Sequence, residues 1–121
     1  MRRTPLALAT ASLAGLLAAC GGSGDAASGC SPATADLTVE ANDDLSFDAE
    51  SYDSSAGCIE VTYDNTGSLG HTLLVRGTSG FKLTVGDVAT GTVDLAPGTY
   101  ELFCDIAGHE AGGMKADLVV S

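Results

Sequence analysis

Cys104 is followed five residues later by His109 and five further by Met114, all within the stretch Cys104-Asp105-Ile106-Ala107-Gly108-His109-Glu110-Ala111-Gly112-Gly113-Met114. The chain's other histidine, His71, lies upstream in Gly70-His71-Thr72-Leu73-Leu74-Val75. Two imidazoles, a thiolate and a thioether form a soft donor set, which suits copper moving between two oxidation states and selects against hard cations. Zinc accepts His and Cys but prefers a harder fourth ligand than a thioether. Two His and one Cys with a weak Met is also the pattern of copper sites that transfer electrons. Taken singly, each residue has a bland reading: a lone His sits at the surface and a lone Met packs a core. Together they use both histidines of the chain and its one methionine beyond Met1.

Such donors need a scaffold that brings residue 71 to residues 104–114. From Cys30 to Ser121 the apolar residues alternate, as in half-buried strands, and no window shows sustained helical spacing. Leu37 and Val39 begin the pattern. Ile59, Val61 and Tyr63 alternate with Glu60, Thr62 and Asp64, and Phe81, Leu83 and Val85 with Lys82 and Thr84. Further strand runs are Leu45 to Asp48, Thr72 to Arg76, Thr92 to Leu95, Thr99 to Cys104 and Lys115 to Val120. Turn chemistry separates them at Asp64-Asn65-Thr66-Gly67, Gly77-Thr78-Ser79-Gly80 and Ala96-Pro97-Gly98. About eight short strands predict an all-β sandwich, with no internal repeat. The strand period of two puts Tyr100, Leu102 and Cys104 on one face, so the thiol points inward, and puts His71, Leu73 and Val75 on one face of their strand.

The cysteine count constrains the site. Of four cysteines, Cys20 closes the leader described below, which leaves three in an exported, oxidising setting where thiols normally pair. Cys30 and Cys58 are the expected disulfide, isolating Cys104 for a metal; pairing of either one with Cys104 is the open alternative.

The ordered pattern resembles a known family. Asn65-Thr66-Gly67-Ser68-Leu69-Gly70-His71, then Leu95-Ala96-Pro97-Gly98-Thr99-Tyr100-Glu101-Leu102-Phe103-Cys104, then Gly108-His109 and Met114-Lys115, is similar to the cupredoxins over roughly residues 36 to 121. The Cys-x4-His-x4-Met spacing is similar to the rusticyanin, auracyanin and sulfocyanin branch, rather than to the tighter loop of plastocyanin. The resemblance implies a Greek-key sandwich with one mononuclear type 1 copper, His71, Cys104 and His109 equatorial and Met114 axial. It also implies a weak fifth contact from the Gly70 carbonyl, as in azurin-like members; otherwise Gly70 only permits a turn. The family commonly has Asn after the first His and Ser or Thr after the Cys, whereas this chain has Thr72 and Asp105. A Thr hydroxyl can donate to an Asp carboxylate, so the expected bridge redistributes its polar roles. A carboxylate at residue 105 is expected to favour the oxidised metal and lower its potential.

The N-terminus reads as an address. Met1-Arg2-Arg3 is followed by an uncharged Ala/Leu run to Ala19, too short for a permanent span, and Leu17-Ala18-Ala19-Cys20 resembles a bacterial lipobox. The expected division is a signal peptide at 1–19, a lipidated Cys20 with a Gly/Ser tether over 20–29, and one copper domain over 30–121. The tether reaches about 15–18 Å, which keeps the domain near the membrane. The expected site of action is the outer face of a bacterial cell membrane or the periplasm, by either export route.

Net charge is −11. After removal of the leader, three cations, Arg76, Lys82 and Lys115, face 16 carboxylates, a balance of −13. This excludes phosphate-backbone binding and so nucleic acid as a partner. It suits a basic redox partner, such as a cytochrome or an oxidase subunit. With no histidine left for a second copper site, an independent copper enzyme is not expected. The expected function is that of a monomeric, membrane-anchored electron carrier. The rivals are a copper carrier or buffer lipoprotein delivering metal rather than electrons, and an adhesive sandwich without metal.

Overall fold

A computed structural model describes residues 29–121. The leader, Cys20 and most of the tether lie outside the described residues. Nine strands follow in order: β1 (Ala35–Asn42), β2 (Ser46–Phe47), β3 (Ser51–Ser54), β4 (Gly57–Asn65), β5 (His71–Val75), β6 (Lys82–Val85), β7 (Val88–Leu95), β8 (Gly98–Phe103) and β9 (Lys115–Val120). They form a four-stranded sheet, β2-β1-β4-β7, and a five-stranded sheet, β3-β9-β8-β5-β6. Both sheets are mixed: β1 runs parallel to β4 and β3 parallel to β9, while the other pairs are antiparallel.

Alternation explains the layers. Leu37, Val39 and Ala41 of β1 and Ile59, Val61 and Tyr63 of β4 point inward from one sheet. Leu73 and Val75 of β5, Leu83 and Val85 of β6, Leu102 of β8 and Leu118 and Val120 of β9 meet them from the other. At about 1.5–3 kcal/mol for each large apolar side chain removed from water, this mostly aliphatic layer is the main favourable term in the fold. Phe47 and Tyr63 add an edge-to-face ring pair with centroids 6.1 Å apart.

The strand count exceeds the expected eight because of β3. Ser51-Tyr52-Asp53-Ser54 carries one apolar residue, Tyr52, which points inward while its neighbours face solvent. One aromatic anchor and the parallel pairing with β9 suffice where no alternating run exists. The Leu45 to Asp48 run yields only the two-residue β2.

Cys30 and Cys58 are joined by a disulfide. It fixes the start of the domain to β4, and the Cys30 amide donates to Thr92 Oγ1 of β7 at 3.0 Å. Cys104 is the free cysteine among the described residues.

Candidate metal centre

At one end of the sandwich, β5 begins at His71, and β8 ends at Phe103 one residue before Cys104. β5 and β8 are hydrogen-bonded antiparallel neighbours, with Leu74 opposite Phe103, which brings the start of β5 to the end of β8. The loop after Cys104 folds back on itself in tight turns. The His109 amide donates to Ile106 O at 3.0 Å, the Gly112 amide to Gly108 O at 3.0 Å, and the Met114 amide to His109 O at 3.0 Å. Gly108 and Gly113, which immediately precede His109 and Met114, have φ of 85° and 112°. These are left-handed values that a side chain resists, so the two glycines set the direction in which each donor leaves the backbone. Gly70 has no such φ, and a Cβ there would meet nothing within 4 Å. A turn requirement therefore does not account for Gly70.

The donor atoms of His71, Cys104 and His109 all lie within 4.8 Å of one another. Cys104 Sγ is 3.6 Å from His109 Nδ1, and the two imidazole centroids are 5.2 Å apart at 61°. His71, Cys104 and Met114 are fully buried, whereas His109 is half-buried at the surface. Met114 packs in the same core cluster as Cys104, and its carbonyl accepts from the Cys104 amide at 3.2 Å.

Neither ring nitrogen of His71 has a hydrogen-bond partner among the described residues. A buried imidazole with two unsatisfied nitrogens is expensive unless a further atom binds one of them. Burial, and then the neighbouring His109, push the His71 pKa down, against a smaller opposing pull from Asp43. The ring is thereby kept in the neutral form a metal requires. The orphaned imidazole beside a buried thiol and a second imidazole fits a soft metal ion.

Thr72 and Asp105 link the two donor segments. Thr72 Oγ1 donates to Asp105 Oδ1 at 2.7 Å and also approaches Cys104 Sγ at 3.3 Å; it accepts from the Asp105 amide at 3.0 Å. The Thr72 amide faces Cys104 Sγ at 3.4 Å. The Thr72 amide thus points at the sulfur, while the one hydroxyl proton lies within reach of both Asp105 and Cys104. Lys82, and then Thr72, hold the Asp105 carboxyl below the usual carboxylate range.

Other supports were not legible from spacing. Tyr63, across the sandwich on β4, donates its hydroxyl to the Thr72 carbonyl at 3.1 Å. Asn65 donates to Leu69 O at 2.6 Å and accepts from the Gly67 amide at 3.0 Å, shaping the turn before His71. Asp43, in the β1–β2 turn, accepts from the Ser68 and Leu69 amides at 2.9 and 3.0 Å. A Cβ on Gly67 would fall 2.0 Å from the same carboxylate. Arg76, just after β5, pairs with Glu101 at 2.8 Å, with Glu110 in the ligand loop, and lies over the Phe103 ring at 3.9 Å. Lys82 pairs with Asp105 at 2.8 Å. The one available signal was scarcity: Arg76 and Lys82 are two of only three cations after residue 20.

Residues 77–121 match the sulfocyanin (SoxE) domain family, a span that includes Cys104, His109 and Met114 but not His71. Among solved structures, reduced auracyanin from Roseiflexus castenholzii is similar at 21% identity and a TM-score of 0.61, over 74% of this chain and 99% of that one. An azurin from Methylomonas sp. strain J gives the same coverages and TM-score at 15% identity. A chain of a heme-copper terminal oxidase dimer aligns at 20% identity and a TM-score of 0.56, over 69% of this chain and 63% of that one. The search of curated proteins gave no match. The His, Cys, His and Met arrangement is consistent with one type 1 copper site. Shared architecture with auracyanin and azurin shows that the chain has the cupredoxin fold, and its residues 77–121 carry the sulfocyanin domain match.

Proposed function

We propose that this protein is an exported, lipid-anchored, monomeric electron carrier in which His71, Cys104, His109 and Met114 hold one copper ion. The observation that carries the reading is the buried His71 imidazole, with both nitrogens unpartnered, set against Cys104 and His109. Bound copper supplies a one-electron couple between Cu(II) and Cu(I). The chain's own residues do the rest. The β5 and β8 strands, the Thr72 bridge and the tight turns of the 105–113 loop hold the donors in one arrangement, which keeps reorganisation small when charge changes. Burial of three donors excludes water and substrate, and half-buried His109 gives the site an edge at the surface. Exposed Ala107, Gly108, Ala111 and Gly112 around it let a partner approach closely.

The acidic balance suits a basic redox partner such as a cytochrome or an oxidase, and the structural likeness to a chain of a heme-copper terminal oxidase dimer supports a redox partner in general. The lipobox-like Leu17-Ala18-Ala19-Cys20 and the disulfide support action outside the cytoplasm. The carrier reading is disfavoured by a single buried methionine and a buried thiol, since handing over metal calls for exposed soft ligands. Cu(II) added to the purified domain is expected to give one equivalent of binding with intense visible thiolate-to-copper absorption, reversibly bleached by a reductant. Colourless binding, or none, sinks the proposal.

A further inference from the structure

The acidic chain commits two of its three post-leader cations beside the ligand loop: Lys82 with Asp105, next to Cys104, and Arg76 with Glu110, next to His109. From Lys82 a continuous path reaches the sulfur. Lys82 Nζ meets Asp105 Oδ2 at 2.8 Å, Asp105 Oδ1 accepts from Thr72 Oγ1 at 2.7 Å, and that same oxygen lies 3.3 Å from Cys104 Sγ. A hydroxyl has one proton, so Asp105 and the sulfur compete for it. An ionised carboxylate is the stronger acceptor, and a lysine charge on its other oxygen weakens its hold.

We propose that Lys82 is a positioning residue for the metal centre: by neutralising Asp105 it leaves the Thr72 hydroxyl free to share its proton with the Cys104 sulfur, and it thereby raises the reduction potential. The inference rests on the copper reading above. Two effects run in the same direction. A hydrogen bond to the sulfur reduces its donation to the oxidised metal, and an added positive charge nearby disfavours the more highly charged metal state. Lys82 sits on the edge strand β6 with an exposed side chain, and exposed ion pairs contribute only about 0–1 kcal/mol to folding, so its removal leaves the scaffold intact.

The experiment uses the copper-loaded full chain and compares Lys82→Met, Lys82→Arg and Lys115→Met, with Lys82→Met repeated in an Asp105→Asn background. Lys115→Met is the control for net charge. Reduction potential and the copper–sulfur stretching frequency by resonance Raman are read for each. The expected result is a lower potential and a higher stretching frequency in Lys82→Met, near-complete recovery in Lys82→Arg, and a smaller potential shift with an unmoved frequency in Lys115→Met. In the Asp105→Asn background the Lys82→Met shift shrinks and the frequency stays put. A coloured protein in which Lys82→Met shifts no more than Lys115→Met, or shifts equally in both backgrounds, overturns this inference alone. A wild-type chain that gives no colour overturns the copper reading and this one with it.

Discussion

Leu45 Cδ1 occupies the space beside Gly112, 2.8 Å from where a Cβ on that glycine would fall. Leu45 holds a φ of 62°, a left-handed backbone that costs a branched residue about 1–2 kcal/mol. The strain is retained where the β1–β2 turn props the loop carrying His109 and Met114. Gly112→Ala is therefore expected to destabilise the domain by about 1–3 kcal/mol, because the new methyl meets both Leu45 and the Gly108 carbonyl. Leu45→Ala in the same chain should recover part of the loss. Thermal unfolding of the two single variants and the double one checks this; strictly additive effects would show that the two residues are not coupled.

The same turn holds the other donor segment through Asp43. Amides of Leu69 and then Ser68 pull its carboxyl below the usual carboxylate range of about 3.8. A pKa lowered on folding contributes stability that is present above the unfolded value and disappears as pH falls through the folded one. Asp43→Asn is accordingly expected to be less stable than wild type at pH 6, with the gap closing below about pH 4. Urea unfolding of the metal-free domain from pH 6 to pH 3 measures it. A gap that stays constant over that range would remove the charge from the explanation.

The scaffold was legible in the sequence wherever burial imposes a period of two, as in Ile59, Val61 and Tyr63 or Phe81, Leu83 and Val85. The donor loop was legible because Cys104, His109 and Met114 lie in one short stretch, whose internal turns are local. The struts were not. Asp43 meets Ser68 across 25 residues, Lys82 meets Asp105 across 23 and Arg76 meets Glu110 across 34. Each is a polar residue on a solvent-facing position, where periodicity carries no signal and only the pairing of strands decides the partner. β3 escaped for a related reason, since Tyr52 alone anchors it.

The disulfide predicts a separation between stability and site. Cys30 and Cys58 are 28 residues apart, and closing a loop of that length restrains the unfolded chain by about 3–4 kcal/mol. The double variant Cys30→Ser/Cys58→Ser should lose an amount of that order in denaturant unfolding. The bridge lies on β4 and its N-terminal approach, away from the donor end of β5 and β8, so the visible spectrum of the copper form should be unchanged. A shifted spectrum would mean that the bridge shapes the site and not only the unfolded chain.

Cys104→Ser isolates the sulfur from its surroundings. The side chain is fully buried and faces the Thr72 amide and hydroxyl, both of which a serine oxygen can accept. Replacing sulfur by the smaller oxygen leaves the packing of Met114 and Leu102 nearly intact, so unfolding should move by no more than about 1–2 kcal/mol. Without a thiolate there is no sulfur-to-copper charge transfer, and the hydroxyl is a poor soft-metal donor. The variant is thus expected to fold, to bind Cu(II) weakly through the histidines, and to be colourless. Circular dichroism and the visible spectrum, recorded on the same sample, decide it: a folded variant that keeps the intense band would place the chromophore elsewhere and remove Cys104 from the ligand set.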